Sequence, residues 1–234
     1  MCEILRRAFL DTESKTFSRT GNFLAVVTIV SILAVVLETV PSLSVYEKWF
    51  LLIEWVAVII FSLEYLGRLL VTKPRYRYVF SFFGIIDLVA ILPTLLGLGN
   101  LTFLKSARAI RIIRLLRILR LAKITRNPKG QDIEESFGVY GFNILIYGAT
   151  LLLSLLVMGT LIYLAESDTE SFASIPAGMW WSLKVFMGGM AVTVPDTQFG
   201  EVVYVATRFV GLLLFGLLVG VVGNVFRLLL LKGR

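Results

Sequence analysis

Basic residues recur at nearly every third position along KSARAIRIIRLLRILRLAKITRNPK: Lys105, Arg108, Arg111, Arg114, Arg117, Arg120, Lys123, Arg126 and Lys129. Pairs of Ile, Leu and Ala mostly fill the gaps, and no acid occurs between Asp87 and Asp132. In an α-helix a period of three drifts by about 60° per repeat, so the charges spiral round the axis. In a 3₁₀ stretch they would line up on one side. The chemistry such a series offers is displacement of charge, not bond-making. Each charge carried through 100 mV is worth about 2.3 kcal/mol. The competing reading is an amphipathic helix lying on an anionic membrane surface.

A helix of this kind inside a bilayer needs acids to face, because unpaired charge there is costly. Glu38, Glu54, Glu64 and Asp87 all fall in apolar stretches. Glu54 and Glu64 lie roughly 15 Å apart along a helix axis. Phe61 precedes Glu64 by three residues, on the same helical side. A bulky ring beside two inner acids would keep water out while an arginine is handed across. By spacing alone Phe61 also fits plain lipid or core packing.

The elements that must carry these residues follow from the apolar runs. Stretches near 20–40, 49–71, 79–98, 102–124, 139–165 and 202–231 approach the roughly 20 residues that cross a bilayer as a helix. A shorter stretch near 172–187, bounded by Pro176 and Pro195, reads as a re-entrant half-helix. Lys and Arg alternate with the loops: Arg6, Arg7, Lys15 and Arg19, then Lys73, Arg75 and Arg77, then the end of the fourth span, then Arg227, Lys232 and Arg234. The intervening loops are poor in them. The pattern predicts six spans with both termini in the cytoplasm, in a multi-pass protein of the cell membrane.

Composition agrees. Of 234 residues 57% are hydrophobic and only 17% charged, with a mean hydropathy of +0.85. That excludes an ordinary soluble domain and a disordered chain. The net charge of +7 would normally raise nucleic acid as a partner. Yet nine of the 23 basics lie between Lys105 and Lys129, leaving 14 against 16 acids elsewhere. No nucleic-acid partner is expected; membrane lipids and inorganic cations are. With no His and the single Cys2, internal disulfides, thiol pairs, Cys/His zinc sites and histidine catalysis are out. Neither an enzyme, a metal site nor a cofactor is expected, and no signal peptide is evident.

At this point the chain resembles the voltage-gated potassium channels, over about residues 20–234. The run LETVP (Leu37 to Pro41) looks like the end of their first segment. LIEWVAVIIFSLEYLGRLL (Leu52 to Leu70) resembles the second, which makes Glu54, Phe61, Glu64 and Arg68 its outer acid, sealing aromatic, inner acid and following arginine. GIIDLVAILP (Gly84 to Pro93) resembles the third, with Asp87 its acid and Pro93 its break. Arg111 to Arg120 match the main gating arginines, Arg108 an additional outer charge, and Lys123 and Arg126 the inner pair.

The pore half is similar but departs at one place. FASIPAGMWWSLKVF (Phe172 to Phe186), with Trp180 and Trp181, looks like the pore helix. Pro195, Thr197 and Gly200 match the motif after the filter, and Gly211 and Gly220 fall at hinge positions of the last span. Gly216 and Gly223 read as sites of close helix packing. The family's TVGYGD is replaced by Met187, Gly188, Gly189, Met190, Ala191, Val192, Thr193 and Val194, one residue short, and Lys184 adds a cation nearby. Filter carbonyls replace the water around K⁺, in a conformation that relies on glycine.

The resemblance therefore implies an all-α membrane protein of six transmembrane helices plus a re-entrant pore helix. A cytoplasmic segment, 1–18, would precede a four-helix voltage-sensor domain, 19–128. A linker, 129–138, would lead to a two-helix pore domain, 139–234, assembling as a homotetramer. The expected function is a voltage-gated cation channel, potassium by resemblance. The altered filter keeps two alternatives open: a channel of weak or non-potassium selectivity, and a sensor-dominated protein with a non-conducting pore.

Overall fold

A computed structural model describes residues 15–72, 74–96, 114–120, 130–166, 169–188 and 190–231. Helices dominate these, in the order α1 (Lys15–Glu38), a 3₁₀ turn (Pro41–Tyr46), α2 (Glu47–Val71), α3 (Arg75–Val79), α4 (Phe82–Leu96), α5 (Gly130–Glu166), a 3₁₀ turn (Glu170–Phe172), α6 (Ile175–Met187) and α7 (Gln198–Leu231). Between α4 and α5, residues 114–115 are α-helical and 116–120 form a 3₁₀ turn.

Four segments among the described residues are long and apolar enough to cross a membrane: Thr16–Glu38, Pro41–Val71, Asn143–Glu166 and Gln198–Asn224. Phe82–Leu92 is a shorter apolar helix. Most of the fourth span, including Arg108, Arg111, Lys123 and Arg126, lies outside the described residues. Within a span every polar group needs an internal partner. Accordingly Thr28, Thr160 and Thr207 donate back to the carbonyls of Leu24, Leu156 and Val203, one turn earlier.

Two boundaries differ from expectation. The third span does not run unbroken from residue 79. Ser81 closes α3 by donating to Tyr78 O, and its hydroxyl receives the Gly84 N–H, capping α4. The linker residues 130–138 are not a separate element either: α5 runs through them into the span. They contain no proline to stop it.

The chain divides into two compact units, Met1–Glu38 with Ser42–Pro128, and Thr39–Pro41 with Lys129–Arg234. In the first, Ala57, Val58, Phe61 and Ile91 form the core, packed with Leu24, Val27 and Tyr65. In the second, Ile162, Phe172, Trp181, Val185 and Val203 do so, with Val192 against them.

The helices of the second unit cross closely at glycines. A Cβ on Gly178 would lie 2.3 Å from Gly159 O, and one on Gly159 2.5 Å from Met179 N. Gly178→Ala must therefore force α5 and α6 apart, at about 1–3 kcal/mol. Thermal unfolding in detergent is expected to show a lowered Tm for Gly178→Ala. Gly216→Ala meets nothing within 4 Å and should raise the Tm slightly, by helix propensity. The opposite ranking would overturn the crossing. Gly211 packs on Phe186, its Cβ position 2.8 Å from the Phe186 Cα, whereas a Cβ on Gly216, Gly220 or Gly223 meets nothing within 4 Å among the described residues. The close packing expected of Gly216 and Gly223 is thus not found among the described residues. Instead α7 presents an apolar surface there, including Phe215, Val219 and Val222.

Candidate functional site: buried arginines at an aromatic seal

The first unit gathers the residues singled out by type and spacing. Glu54, Phe61 and Glu64 sit at intervals of seven and three on α2, and all three are buried. Asp87 lies on α4 and is fully buried. Into this group the 114–120 segment inserts three arginines.

Arg117 is wholly buried. Its guanidinium forms a bidentate pair with Glu54, at 2.7 Å to Oε2 and 2.5 Å to Oε1. Nε donates to Ala90 O at 2.9 Å, and Nη1 also reaches Ser31 Oγ at 3.3 Å. Planar fork geometry of this kind is specific to arginine. Three residues on, Arg120 meets the inner acids: Nη2 lies 2.8 Å from Asp87 Oδ1 and 3.1 Å from Glu64 Oε2, and Nε donates to Asp87 at 3.0 Å. Between the two, Phe61 is fully buried. Arg120 Cζ lies 3.9 Å from its ring centroid and Arg117 Cζ 5.9 Å. The ring face attracts both cations while its bulk excludes water.

Arg114 makes longer contacts, 3.5 Å to Glu38 and 3.5 Å to Glu54. Arg68 pairs with Glu64 at 2.7 Å, one turn earlier on its own helix, and reaches Asp87 at 3.5 Å. Successive arginines therefore occupy successive acids, Glu38 with Glu54 first and Glu64 with Asp87 last, with the phenyl ring between.

Three participants had not been singled out from sequence. Ser31 lies seven residues before Glu38, two turns along the same face of α1. The Ala90 carbonyl carries no side-chain signal at all. Tyr78 donates its hydroxyl to Asp87 Oδ2 at 2.5 Å. Burial and the neighbouring Asp87 carboxylate push that hydroxyl well above the usual tyrosine range.

In the second unit, Ser174 caps α6, accepting from Ala177 N at 3.3 Å, and Pro176 sits in the first turn. Gly188 ends the helix at φ +63, the sole positive φ among the described residues. Met187, Met190, Ala191, Thr193 and Val194 are exposed within the chain, Val192 is half-buried, and Gly189 lies outside the described residues. Trp181 Nε1 braces the loop by donating to Thr193 O at 2.8 Å, whereas Trp180 is exposed. Lys184 is half-buried in the last turn of α6. Buried Glu166 accepts from Thr197 N at 2.6 Å, and Thr197 caps Gly200 N at the start of α7. Arg208, an unforeseen cation within α7, receives support only from Tyr204 among the interactions described, at 2.6 Å to its hydroxyl.

Fold and site define a multi-pass all-α membrane protein with an arginine–carboxylate ladder inside its first helical unit. The chain belongs to the ion transport protein family, whose description fits residues 18–230. It is 30% identical over 248 residues to the A-type voltage-gated potassium channel KCND3 of Homo sapiens, covering 94% of this chain and 36% of that protein. The potassium voltage-gated channel protein Shal of Drosophila melanogaster is 30% identical over 227 residues, covering 88% and 38%. A putative potassium channel protein of Rhodopseudomonas palustris is 28% identical over 241 residues, covering 93% and 56%. The chain thus spans just over a third of the length of the first two relatives.

Proposed function

We propose that the chain is the subunit of a voltage-gated cation channel. Residues 19–128 act as the voltage sensor, 129–138 as the connection, and 139–234 as one quarter of a homotetrameric pore. The observation that carries this reading is the division of Arg117 and Arg120 between two acid clusters by Phe61. A ladder of identical cations on one segment can advance by three residues and re-form equivalent pairs, so its position responds to a field without leaving charge unpaired. In sequence, Arg108, Arg111, Lys123 and Arg126 continue the same three-residue series. The Lys and Arg distribution supports cytoplasmic termini. Motion of the ladder would be passed to α7, with Gly211 or Gly220 as the hinge. The packing of Gly211 on Phe186 favours Gly220, whose Cβ position meets nothing within 4 Å among the described residues.

Potassium is the permeant ion by likeness to the named relatives. The filter supports a second reading. In place of the family's alternating glycines, the described loop has one residue at positive φ, Gly188, and its brace is a tryptophan bonded to a backbone carbonyl. Weak selectivity, or a pore that conducts poorly beneath a working sensor, fits those features. Purified protein in planar bilayers under voltage steps separates the readings. A reversal potential that follows the K⁺ gradient and ignores Na⁺ and Cl⁻ is expected of a potassium channel. A reversal insensitive to K⁺ would sink the potassium assignment. Sensor charge movement without ionic current would leave the sensor-dominated reading.

A further inference from the structure

Asp87 serves three partners at once, and the third comes from outside the spanning helices. Arg120 takes Oδ1 and Arg68 approaches Oδ2, while Tyr78 donates its hydroxyl to Oδ2. Tyr78 stands on α3, the short helix between the second and third spans. Its carbonyl is gripped by Ser81, through the backbone N–H at 3.0 Å and the hydroxyl at 2.6 Å. Gly84 makes this possible, because a Cβ there would lie 1.9 Å from Tyr78 O. The Tyr78 ring rests against Tyr65, centroids 5.8 Å apart. Thus Tyr78, Ser81, Gly84 and Asp87, each three residues from the next, form one rigid corner. The hydroxyl is built in, not incidentally near.

We propose that Tyr78 is a positioning residue of the charge ladder, its hydroxyl setting how strongly Asp87 holds the arginine on the inner side of Phe61. The proposal rests on the voltage-sensing reading above. A carboxylate that accepts a hydrogen bond from a neutral donor shares its negative charge with it and attracts a cation less. Deleting the donor strengthens the Asp87–Arg120 pair and stabilises the arrangement described here. Strengthening the donor weakens the pair. The balance between ladder positions therefore follows the acidity of this hydroxyl.

The test uses full-length protein in liposomes, with a fluorophore at the start of the fourth span and a potential imposed by a K⁺ gradient and valinomycin. Wild-type fluorescence must follow the potential; a flat response refutes the sensing reading itself, separately from this one. Tyr78→Phe is expected to shift the equilibrium at fixed potential toward the arrangement described, by about tenfold, with the steepness unchanged. Replacing Tyr78 with 3,5-difluorotyrosine, a more acidic hydroxyl on a ring of similar size, should shift it the opposite way. A merely structural tyrosine would not give opposite shifts. With wild-type responsive, superimposable curves for both variants, or shifts of the same sign, would overturn the proposal.

Discussion

Arg117→Gln is expected to flatten the voltage response and to destabilise the first unit together. The guanidinium is completely buried and is the bidentate partner of Glu54. Glutamine keeps some hydrogen bonding but leaves the Glu54 carboxylate buried without its counter-charge. Breaking a buried pair in this one-sided way costs about 3–5 kcal/mol. The lost charge also removes about 2.3 kcal/mol of field energy per 100 mV if it crosses the whole field. Arg114→Gln makes the useful contrast. Its contacts are 3.5 Å long, and without it Glu54 still holds Arg117 as its bidentate partner, so its stability cost should be the smaller of the two. Its slope loss should nonetheless be similar, because it carries the same charge. Charge–voltage curves and thermal unfolding of both variants check this. An unchanged slope in Arg117→Gln would remove that residue from the moving charges, whatever its effect on Tm.

Phe61→Ala is the second large effect. The ring is fully buried and both arginines lie over it. Truncation removes about 3–5 kcal/mol of packing and the cation–π attraction besides, about 0.5–2 kcal/mol. It also joins the two acid clusters into one cavity that water can fill. Liposomes holding a pH-sensitive dye should show a proton leak through Phe61→Ala that the wild type lacks. Phe61→Trp should hold the seal. Equal proton flux in Phe61→Ala and wild type would return Phe61 to ordinary core packing.

Much of this site was legible before any fold was known, and the reason is dielectric. Charged residues in apolar runs are expensive, so each one that is present marks a partner. That logic reached Glu38, Glu54, Glu64, Asp87 and the arginine series directly, whereas Arg68 came only from the family resemblance. The spans were legible for the same reason, since a bilayer imposes length and composition together. Residues that act through uncharged groups left no such mark. Ser31 reads as one more small residue of an apolar helix, and Tyr78 as an interfacial aromatic. The Ala90 carbonyl belongs to no side chain. Boundaries were less legible than spans. The Ser81 cap that splits α3 from α4 depends on one hydroxyl, and the continuation of α5 through 130–138 has no periodic signature to announce it. Gly216 and Gly223 followed a rule for small residues in membrane helices. The rule says that something can approach closely, without saying that it belongs to the same chain.

The five-residue 3₁₀ turn at 116–120 has a mechanical consequence. With three residues per turn and about 2 Å of rise per residue, Arg117 and Arg120 share one side of the segment, about 6 Å apart along its axis. An α-helix would space them about 4.5 Å apart and some 60° out of line. Exchanging one arginine for the next at Glu54 would then demand a corkscrew motion, turning every lipid-facing Leu and Ile with it. Where the turn is 3₁₀, the exchange proposed above would need only a straight stroke, the motion of a piston instead of a screw.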